Sequence, residues 1–251
     1  MKTLDGREVE PGAEVGVAGA LMISVFAIYR FDASYAIAAY KKNPGRFALI
    51  KPVDANDPAV ADTIAEWAAM EGTVGVRIML RPEISDDPAD PGLNRVLAAA
   101  ARHDLPVNIQ CWGRLPQVGA LAARNPDTQV IVDHVGMTQV FAPPPRPQPF
   151  DDIDNVLALA RYPNLAMKIT GACTYSHQKF PFNDIWDPLT RVFDAFGLQR
   201  CLWGTDWTRA TALVTYKEAV DAFKVTDRLS DSDRAILMGG SLQKIYGWTP
   251  G

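Results

Sequence analysis

The chain is poor in cysteine, in net charge and in long apolar runs, and each shortage excludes a class of protein. Its three cysteines, Cys111, Cys173 and Cys201, are far apart, and an odd, scattered set predicts neither a disulfide framework nor a cysteine metal site. No apolar run approaches the roughly 20 residues of a membrane span. Residues 1–11 are too polar and acidic for a signal peptide. We therefore expect a cytoplasmic protein with no membrane partner.

The charge balance argues against nucleic acid as a partner. The 251 residues carry 25 Lys and Arg against 29 Asp and Glu, a net charge of −4, so there is no basic footprint for a polyanion. Apolar residues make up 48% of the chain, which is enough to build one large core. We expect a single domain over residues 1–251 that binds a small molecule, and a homo-oligomer is compatible with this composition.

Apolar strand-like segments alternate with helix-like segments along the chain. They start near residues 20, 47, 75, 106, 129, 165 and 200, a spacing of roughly 30 residues that is typical of one βα unit. Such alternation predicts an α/β fold with a parallel sheet. No glycine-rich phosphate turn follows the first strand, which disfavours a doubly wound sheet. The prediction is a (β/α)8 TIM-type barrel whose first βα unit is missing or degenerate at the N-terminus, with an aromatic-rich loop over residues 29–35.

Two of the predicted strands end in ionisable residues. The segment at 200–207 runs into Asp206, and the segment at 129–136 contains His134. In a barrel the carboxyl ends of all strands meet at one mouth, where active sites lie. Asp206 would be a general base, while His134 would orient water or polarise a carbonyl. In the alternative interpretations Asp206 caps the next helix, or the two residues form a structural pair.

Several segments resemble the amidohydrolase-2 family, and within it the 2-pyrone-4,6-dicarboxylate lactonase-like branch. They are GVR at 75–77, VDHVG at 132–136, KITG at 168–171, LWGTDW at 202–207 and GGSLQKIYG at 239–247. The resemblance runs from about residue 15 to residue 248. It implies a (β/α)8 barrel that hydrolyses a lactone, amide or related bond with water, and it places the family's aspartate base at Asp206.

The chain departs from the family at its metal-binding positions. It has three histidines and no His-x-His pair, whereas family members carry that pair on strand one. Many members also have a metal-binding histidine at the end of strand five, where this chain has Gln110. The lactonase-like branch lacks that histidine and is thought to work without a metal. Catalytic zinc keeps three protein ligands, so we predict no cofactor, and a weakly bound divalent metal such as zinc stays open.

Candidate substrate-binding residues follow or lie within other predicted strands. Arg77 and Arg81 suit a bidentate grip on a substrate carboxylate, although either could be a surface charge. Lys168, inside the sixth strand, either pairs with an acid or contacts substrate. Tyr175 and His177 lie in the loop beyond that strand, and Gln110 completes the predicted substrate-binding set. Cys111 is an alternative nucleophile, although buried thiols usually serve packing.

The sequence thus predicts a hydrolase that opens a lactone, or a related C–O or C–N bond, in a small carboxylate-bearing metabolite. Two alternatives stay open. One is a metal-dependent amidohydrolase or decarboxylase of the same family. The other is a barrel that keeps its pocket but has lost catalysis together with the His-x-His pair of its first strand.

Overall fold

Strands and helices alternate in the order that the sequence spacing predicts. The computed structural model describes residues 15–251, and the predictions made for residues 1–11 lie outside these residues. All seven predicted strands are confirmed, and each starts within two residues of its predicted position. The strands are β1 (Ala20–Ile23), β2 (Phe47–Pro52), β3 (Thr73–Met79), β4 (Val107–Gln110), β5 (Val130–Val132), β6 (Leu165–Thr170) and β7 (Cys201–Gly204).

The seven strands form one parallel sheet in the order β1-β2-β3-β4-β5-β6-β7. Each strand pairs with the next along the chain, so the sheet is built from successive βα units. It curls into a half-barrel of the TIM type. Because all strands are parallel, their carboxyl ends share one rim, and the loops that follow them lie side by side.

The helices pack their apolar faces against the outer side of this sheet. In the amphipathic helix at Val60–Ala68, for example, Val60, Ile64 and Trp67 are buried, as helical spacing predicts. The α-helices are α1 (Phe26–Tyr29), α2 (Ser34–Lys42), α3 (Val60–Ala68), α4 (Pro91–Ala101), α5 (Leu115–Arg124), α6 (Ile153–Ala158), α7 (Trp186–Phe196), α8 (Trp207–Ala210), α9 (Tyr216–Lys224), α10 (Asp231–Ala235) and α11 (Ser241–Tyr246).

The prediction of a loop over residues 29–35 is only partly right, because helices enter it from both sides. The helix α1 ends at Tyr29, and α2 begins at Ser34. The Asp32 side chain accepts hydrogen bonds from the backbone N and hydroxyl of Ser34, which satisfies groups at the start of α2. The helix α2 was not predicted, because its sequence contains aromatic residues and its apolar residues follow helical spacing only weakly.

The inner face of the curled sheet is apolar at its base and becomes polar toward the rim. An apolar cluster, separate from the core between sheet and helices, fills this base. It consists of Ala48, Ile50, Val74, Ile131, Ala166, Leu202 and Tyr246. The Tyr246 hydroxyl donates to Asn108 Oδ1 at 2.7 Å, so the C-terminal helix α11 is tied to the inside of the sheet. Charged inward-facing residues, among them Lys168 on β6, therefore lie above an apolar floor.

In the part of the chain from residue 15 onward, the structure contains no helix that is both long and apolar enough to cross a bilayer.

Candidate active site

His134 and Asp206 meet at the rim of the sheet, where β5 and β7 end. His134 Nδ1 lies 3.6 Å from Asp206 Oδ2, and the two side chains are 10% and 14% exposed. Both residues have left-handed backbone conformations, with φ of 56° and 52°, which are uncommon outside glycine. Asp206 precedes α8, but its side chain makes no capping hydrogen bond. The helix-cap interpretation of Asp206 therefore finds no support in its contacts.

The Asp206 carboxylate is held by two donors on one of its oxygens. Arg209 Nε lies 2.5 Å from Asp206 Oδ2, and Gln139 Nε2 lies 3.2 Å from the same atom. Gln139 comes from the loop after β5 and is 6% exposed. The carboxylate thus has a fixed orientation, which a base needs before proton transfer.

Arg209 joins three loops at this rim. Its NH1 donates to the Val140 carbonyl at 2.7 Å, and its NH2 donates to Thr174 Oγ1 at 2.8 Å. Thr174 in turn donates to the carbonyl of Gly171 at 2.6 Å. All three guanidinium nitrogens are therefore used, and the side chain, 7% exposed, is locked in place beside Asp206.

His134 is fixed through both its ring and its backbone. Thr170 Oγ1 lies 2.8 Å from His134 Nδ1, and the buried Tyr175 hydroxyl donates to the His134 carbonyl at 2.8 Å. Burial lowers the pKa of His134 below its ordinary value, although the neighbouring Asp206 and Asp133 oppose the shift. A neutral imidazole with one donor and one acceptor nitrogen is therefore the form favoured at neutral pH.

A buried ion cluster lies beneath this pair. Arg77 Nε on β3 lies 2.8 Å from Asp133 Oδ2, and Lys168 Nζ on β6 lies 3.2 Å from Asp133 Oδ1. Burial favours the neutral acid of Asp133, but Lys168, Arg77 and His134 outweigh it and hold the Asp133 pKa well below its ordinary value. Burial lowers the pKa of Lys168 against the opposing charge of Asp133. Two cations share one carboxylate here, so the cluster has a net positive charge.

Arg81 lies nearer the rim, between two aromatic rings. Its guanidinium carbon is 5.4 Å from the Phe26 ring centroid and 5.2 Å from that of Trp112. Its NH2 donates to Gln110 Oε1 at 3.4 Å. Burial lowers the Arg81 pKa, and the neighbouring Arg30, Arg77 and Arg114 act in the same direction against Glu83. Arg30, Arg77 and Arg114 thus lie close enough to Arg81 to repel its charge.

His177 belongs to a different part of the surface. It is exposed, its Nε2 lies 2.9 Å from the Arg146 carbonyl, and its backbone N donates to Asp184. Arg146 also borders a cavity of about 290 Å³ that is lined by Gly113, Met137, Thr138, Arg146, Asp151 and Asp152. The sequence-predicted residues therefore fall into an inner group around Asp133 and Asp206, Arg81 and Gln110 nearer the rim, and His177 on the outer loop.

Cys111 is unsuited to act as a nucleophile. The side chain is 1% exposed, its Sγ lies 3.4 Å from the Gly136 carbonyl, and burial raises its pKa to about 12. The thiol form therefore dominates at neutral pH, while nucleophilic cysteines react as thiolates.

The residues around His134 and Asp206 do not fit a divalent metal. No group of three or more His, Cys, Asp or Glu side chains with metal-binding geometry occurs among residues 15–251. Asp206 Oδ2 already carries the guanidinium of Arg209 at 2.5 Å, and Lys168 and Arg77 add positive charge below. A dication would meet two donors instead of three, together with the repulsion of these cations.

These features define a TIM-type barrel with an acid and a histidine at the rim where its strands end, and the family comparison agrees with this fold. The amidohydrolase family profile matches residues 7–248. The chain belongs to the amidohydrolase family and is a hydrolase of that class.

Individual relatives are similar over most of the chain. An L-fucono-1,5-lactonase of Burkholderia multivorans is 28% identical over 218 residues, which are 79% of this chain and 71% of that protein. A crystal structure of a B. multivorans amidohydrolase with bound zinc has a TM-score of 0.77 at 22% identity, over 92% of this chain and 84% of that one. A Pseudomonas putida structure described as a 2-pyrone-4,6-dicarboxylic acid hydrolase has a TM-score of 0.73 at 19% identity, over 92% and 82%. The two structures show a shared fold.

Sequence reasoning missed the residues that hold the predicted pair. Asp133 stands beside His134, and Arg209 follows Asp206 by three residues, so proximity along the chain was a usable signal for both. Gln139 carried no such signal, because its place beside Asp206 depends on the path of the loop after β5. Thr170 ends β6 and lies at the same rim as the other strand ends. It could therefore have been predicted by the same reasoning that indicated His134 and Asp206.

Proposed function

We propose that the protein opens the lactone ring of a small, carboxylate-bearing metabolite by attack of water. The observation that carries this proposal is the convergence at one rim of an oriented carboxylate, Asp206, with His134 and the cationic Arg77–Asp133–Lys168 cluster. Water attack on an ester carbonyl requires a base and a group that stabilises negative charge on oxygen. The lactonase among the curated relatives supports the choice of a cyclic ester.

In this proposal Asp206 accepts a proton from water and His134 polarises the lactone carbonyl. His134 Nδ1 lies 2.8 Å from the Thr170 hydroxyl, and either atom could be the donor. The proposal assigns the hydroxyl as donor, which places the ring proton on Nε2. That N–H then points a hydrogen bond at the carbonyl oxygen as its negative charge develops. Tyr175 positions the ring by holding the His134 carbonyl.

The arginines bind the acidic part of the substrate, and Lys168, paired with Asp133, adds positive charge beneath them. Within residues 15–251, the hydrogen bond of Arg77 uses Nε alone, which leaves its two terminal nitrogens for a carboxylate. Arg81 and Gln110 provide donors nearer the rim, and the Phe26 and Trp112 rings hold the Arg81 guanidinium by cation–π contacts. His177 is outside this proposal, because its contacts are with Arg146 and Asp184.

The test is an assay of Asp206→Asn on a panel of γ- and δ-lactones with and without carboxylates. Asparagine keeps the shape of the side chain but is not a base, so kcat should fall at least about 100-fold while the fold is kept. Hydrolysis is followed by proton release and chromatography, and carbon dioxide is measured in parallel because a decarboxylase would release it.

The matched control is Asp154→Asn, which alters an aspartate that is 88% exposed and paired with Arg191 on the surface. It should leave kcat within twofold. An Asp206→Asn rate within threefold of the parent would remove Asp206 from the mechanism. Carbon dioxide release without lactone hydrolysis would replace the proposed reaction with decarboxylation.

A further inference from the structure

The contacts of Asp206 are unequally divided between its two oxygens. Arg209 Nε and Gln139 Nε2 donate to Oδ2, at 2.5 and 3.2 Å, and His134 Nδ1 lies 3.6 Å from the same oxygen. In the part of the chain that the structure describes, Oδ1 has no hydrogen-bond donor. The carboxylate is therefore anchored through one oxygen, and the other is left for a donor from outside the protein.

The side-chain oxygen of Gln139 also lacks a hydrogen-bond donor among residues 15–251. An ionised carboxylate can only accept hydrogen bonds, so the amide must turn Nε2 toward Asp206, and Oε1 becomes its other end. Gln139 is 6% exposed, and Oε1 is buried without a hydrogen-bond partner among residues 15–251. A buried acceptor without a donor is costly, so Oε1 requires a donor that residues 15–251 do not supply.

We propose that Gln139 and Asp206 hold the attacking water molecule between them. One O–H group of this water donates to Asp206 Oδ1, and its other O–H group donates to Gln139 Oε1. Gln139 is then a catalytic residue that was not predicted from the sequence. Arg209 is a positioning residue, because it contacts Asp206 and not the water. This inference rests on the proposed lactone hydrolysis and adds to it the group that orients the nucleophile.

The step balances without any further reactant. The water oxygen forms a bond to the carbonyl carbon, and its proton passes to Asp206 Oδ1 while its second hydrogen stays bonded to Gln139 Oε1. Negative charge moves to the carbonyl oxygen, where His134 Nε2–H donates to it. The bond from that carbon to the ring oxygen then breaks, and the ring oxygen takes the proton from Asp206. The product is the open-chain hydroxy acid.

The two acceptors make a prediction about the choice of nucleophile. Water can donate to Asp206 and Gln139 at once, whereas methanol has one O–H and can satisfy only Asp206. The parent enzyme should therefore discriminate against methanol. Gln139→Met, similar in length but unable to hydrogen-bond, should lower kcat for hydrolysis about tenfold with KM within twofold. It should also raise the ratio of methyl ester to free acid about fivefold, because the net free energy of one hydrogen bond corresponds to a rate factor of about this size.

The experiment measures both products from one lactone in aqueous methanol. Gln139→Asn is the second variant, because its shorter amide withdraws Oε1 while keeping polarity, and it should change the ratio in the same direction. Gln129→Met is the matched control, since Gln129 donates to the Asn164 and Val130 carbonyls at the start of β5. Arg209→Met should lower kcat without changing the ratio, and Arg209→Lys should recover part of the rate.

The possible outcomes separate the two proposals. A raised methanol ratio in both Gln139 variants, with an unchanged ratio in Gln129→Met and Arg209→Met, supports the water position. Normal lactone hydrolysis with an unchanged ratio in the Gln139 variants overturns the role of Gln139 and leaves the lactonase proposal standing. If the parent protein hydrolyses no lactone, the proposed function fails, and the inference fails with it.

Discussion

The position of the Asp206 carboxylate depends on Gly171, the residue that follows β6. Its φ is +70°, and a Cβ at this position would lie 2.6 Å from Arg209 NH2 and 3.1 Å from the Asp206 Cβ. An alanine would be strained in this left-handed conformation and would push Arg209 away from the carboxylate. The glycine after β6 therefore allows the close approach of β6 and β7 loops that fixes Asp206.

We predict that Gly171→Ala lowers kcat at least about tenfold and costs about 1–2 kcal/mol of unfolding free energy, the penalty of a left-handed residue. Gly247→Ala separates the two effects, because Gly247 has φ of +60° and no atom within 4 Å of its added Cβ. It should lose similar stability and keep its activity. Steady-state rates and urea unfolding measure both. Equal kcat values for the two variants would show that contact with Arg209 is unimportant.

At this scale the sequence indicated the two residues that the proposal makes reactive, but not the residues that hold them. Asp206 and His134 could be found because each follows an apolar strand, and parallel strands bring their carboxyl ends together. Gln139 could not, since its contact with Asp206 spans 67 residues and depends on an irregular loop. The division of contacts between two oxygens of one carboxylate depends on side-chain rotamers, which no sequence pattern encodes.

At the scale of secondary structure, the Arg77–Asp133–Lys168 cluster ties β3 to β6 through the end of β5. The three side chains are 10%, 1% and 5% exposed. Removing one partner from a buried ion cluster leaves charge without compensation. Asp133 is the member whose loss is most costly, because it pairs with both cations.

We predict that Asp133→Asn costs about 3–5 kcal/mol of unfolding free energy. Adding Lys168→Met should recover part of this loss, since the double variant removes one of the two unpaired cations. Urea unfolding of the single and double variants measures the coupling. Asp154→Asn is the surface control and should change the free energy by less than about 0.5 kcal/mol. If the double variant is less stable than Asp133→Asn, Lys168 is stabilising for a reason other than its charge pairing.

The strands themselves were predictable because they are short apolar runs, separated by segments whose apolar residues recur at helical spacing. Burial on both faces of a parallel sheet favours such runs. The helix α2 was not predictable, because its sequence mixes alanines with Tyr35 and Tyr40 and has a weak apolar face. The pairing of Lys168 with an acid was one of two alternatives from the sequence, and the contact with Asp133 shows that this pairing forms. Its partner could not be named, because the two residues are adjacent only after β5 and β6 align.

At the scale of the whole molecule, the buried ionisable groups make stability depend on pH in two windows. Burial lowers the pKa of His134 below its ordinary value of 6.5. Just below pH 6.5, the imidazole is therefore protonated to a greater extent in the unfolded chain than in the folded chain. Stability should therefore fall as the pH decreases from 6.5. Lys168 and Arg77 hold the pKa of Asp133 low against its burial, so a second loss begins below about pH 4, where unfolded aspartates take up protons.

We predict that the unfolding free energy of the parent decreases from pH 7 to pH 5 with a slope of at most about 1.4 kcal/mol per pH unit from His134. His134→Gln cannot take up this proton, so it should flatten the curve between pH 5 and 6.5 while leaving the loss below pH 4. His177→Gln is the matched control, because His177 is exposed on the outer loop and its replacement should leave the curve unchanged. Urea unfolding at half-unit pH steps measures all three proteins. A parent curve that is flat from pH 7 to 5, or one that His134→Gln leaves unaltered, would show that His134 accepts a proton in the folded protein, and the neutral imidazole assigned to the reaction would then be wrong.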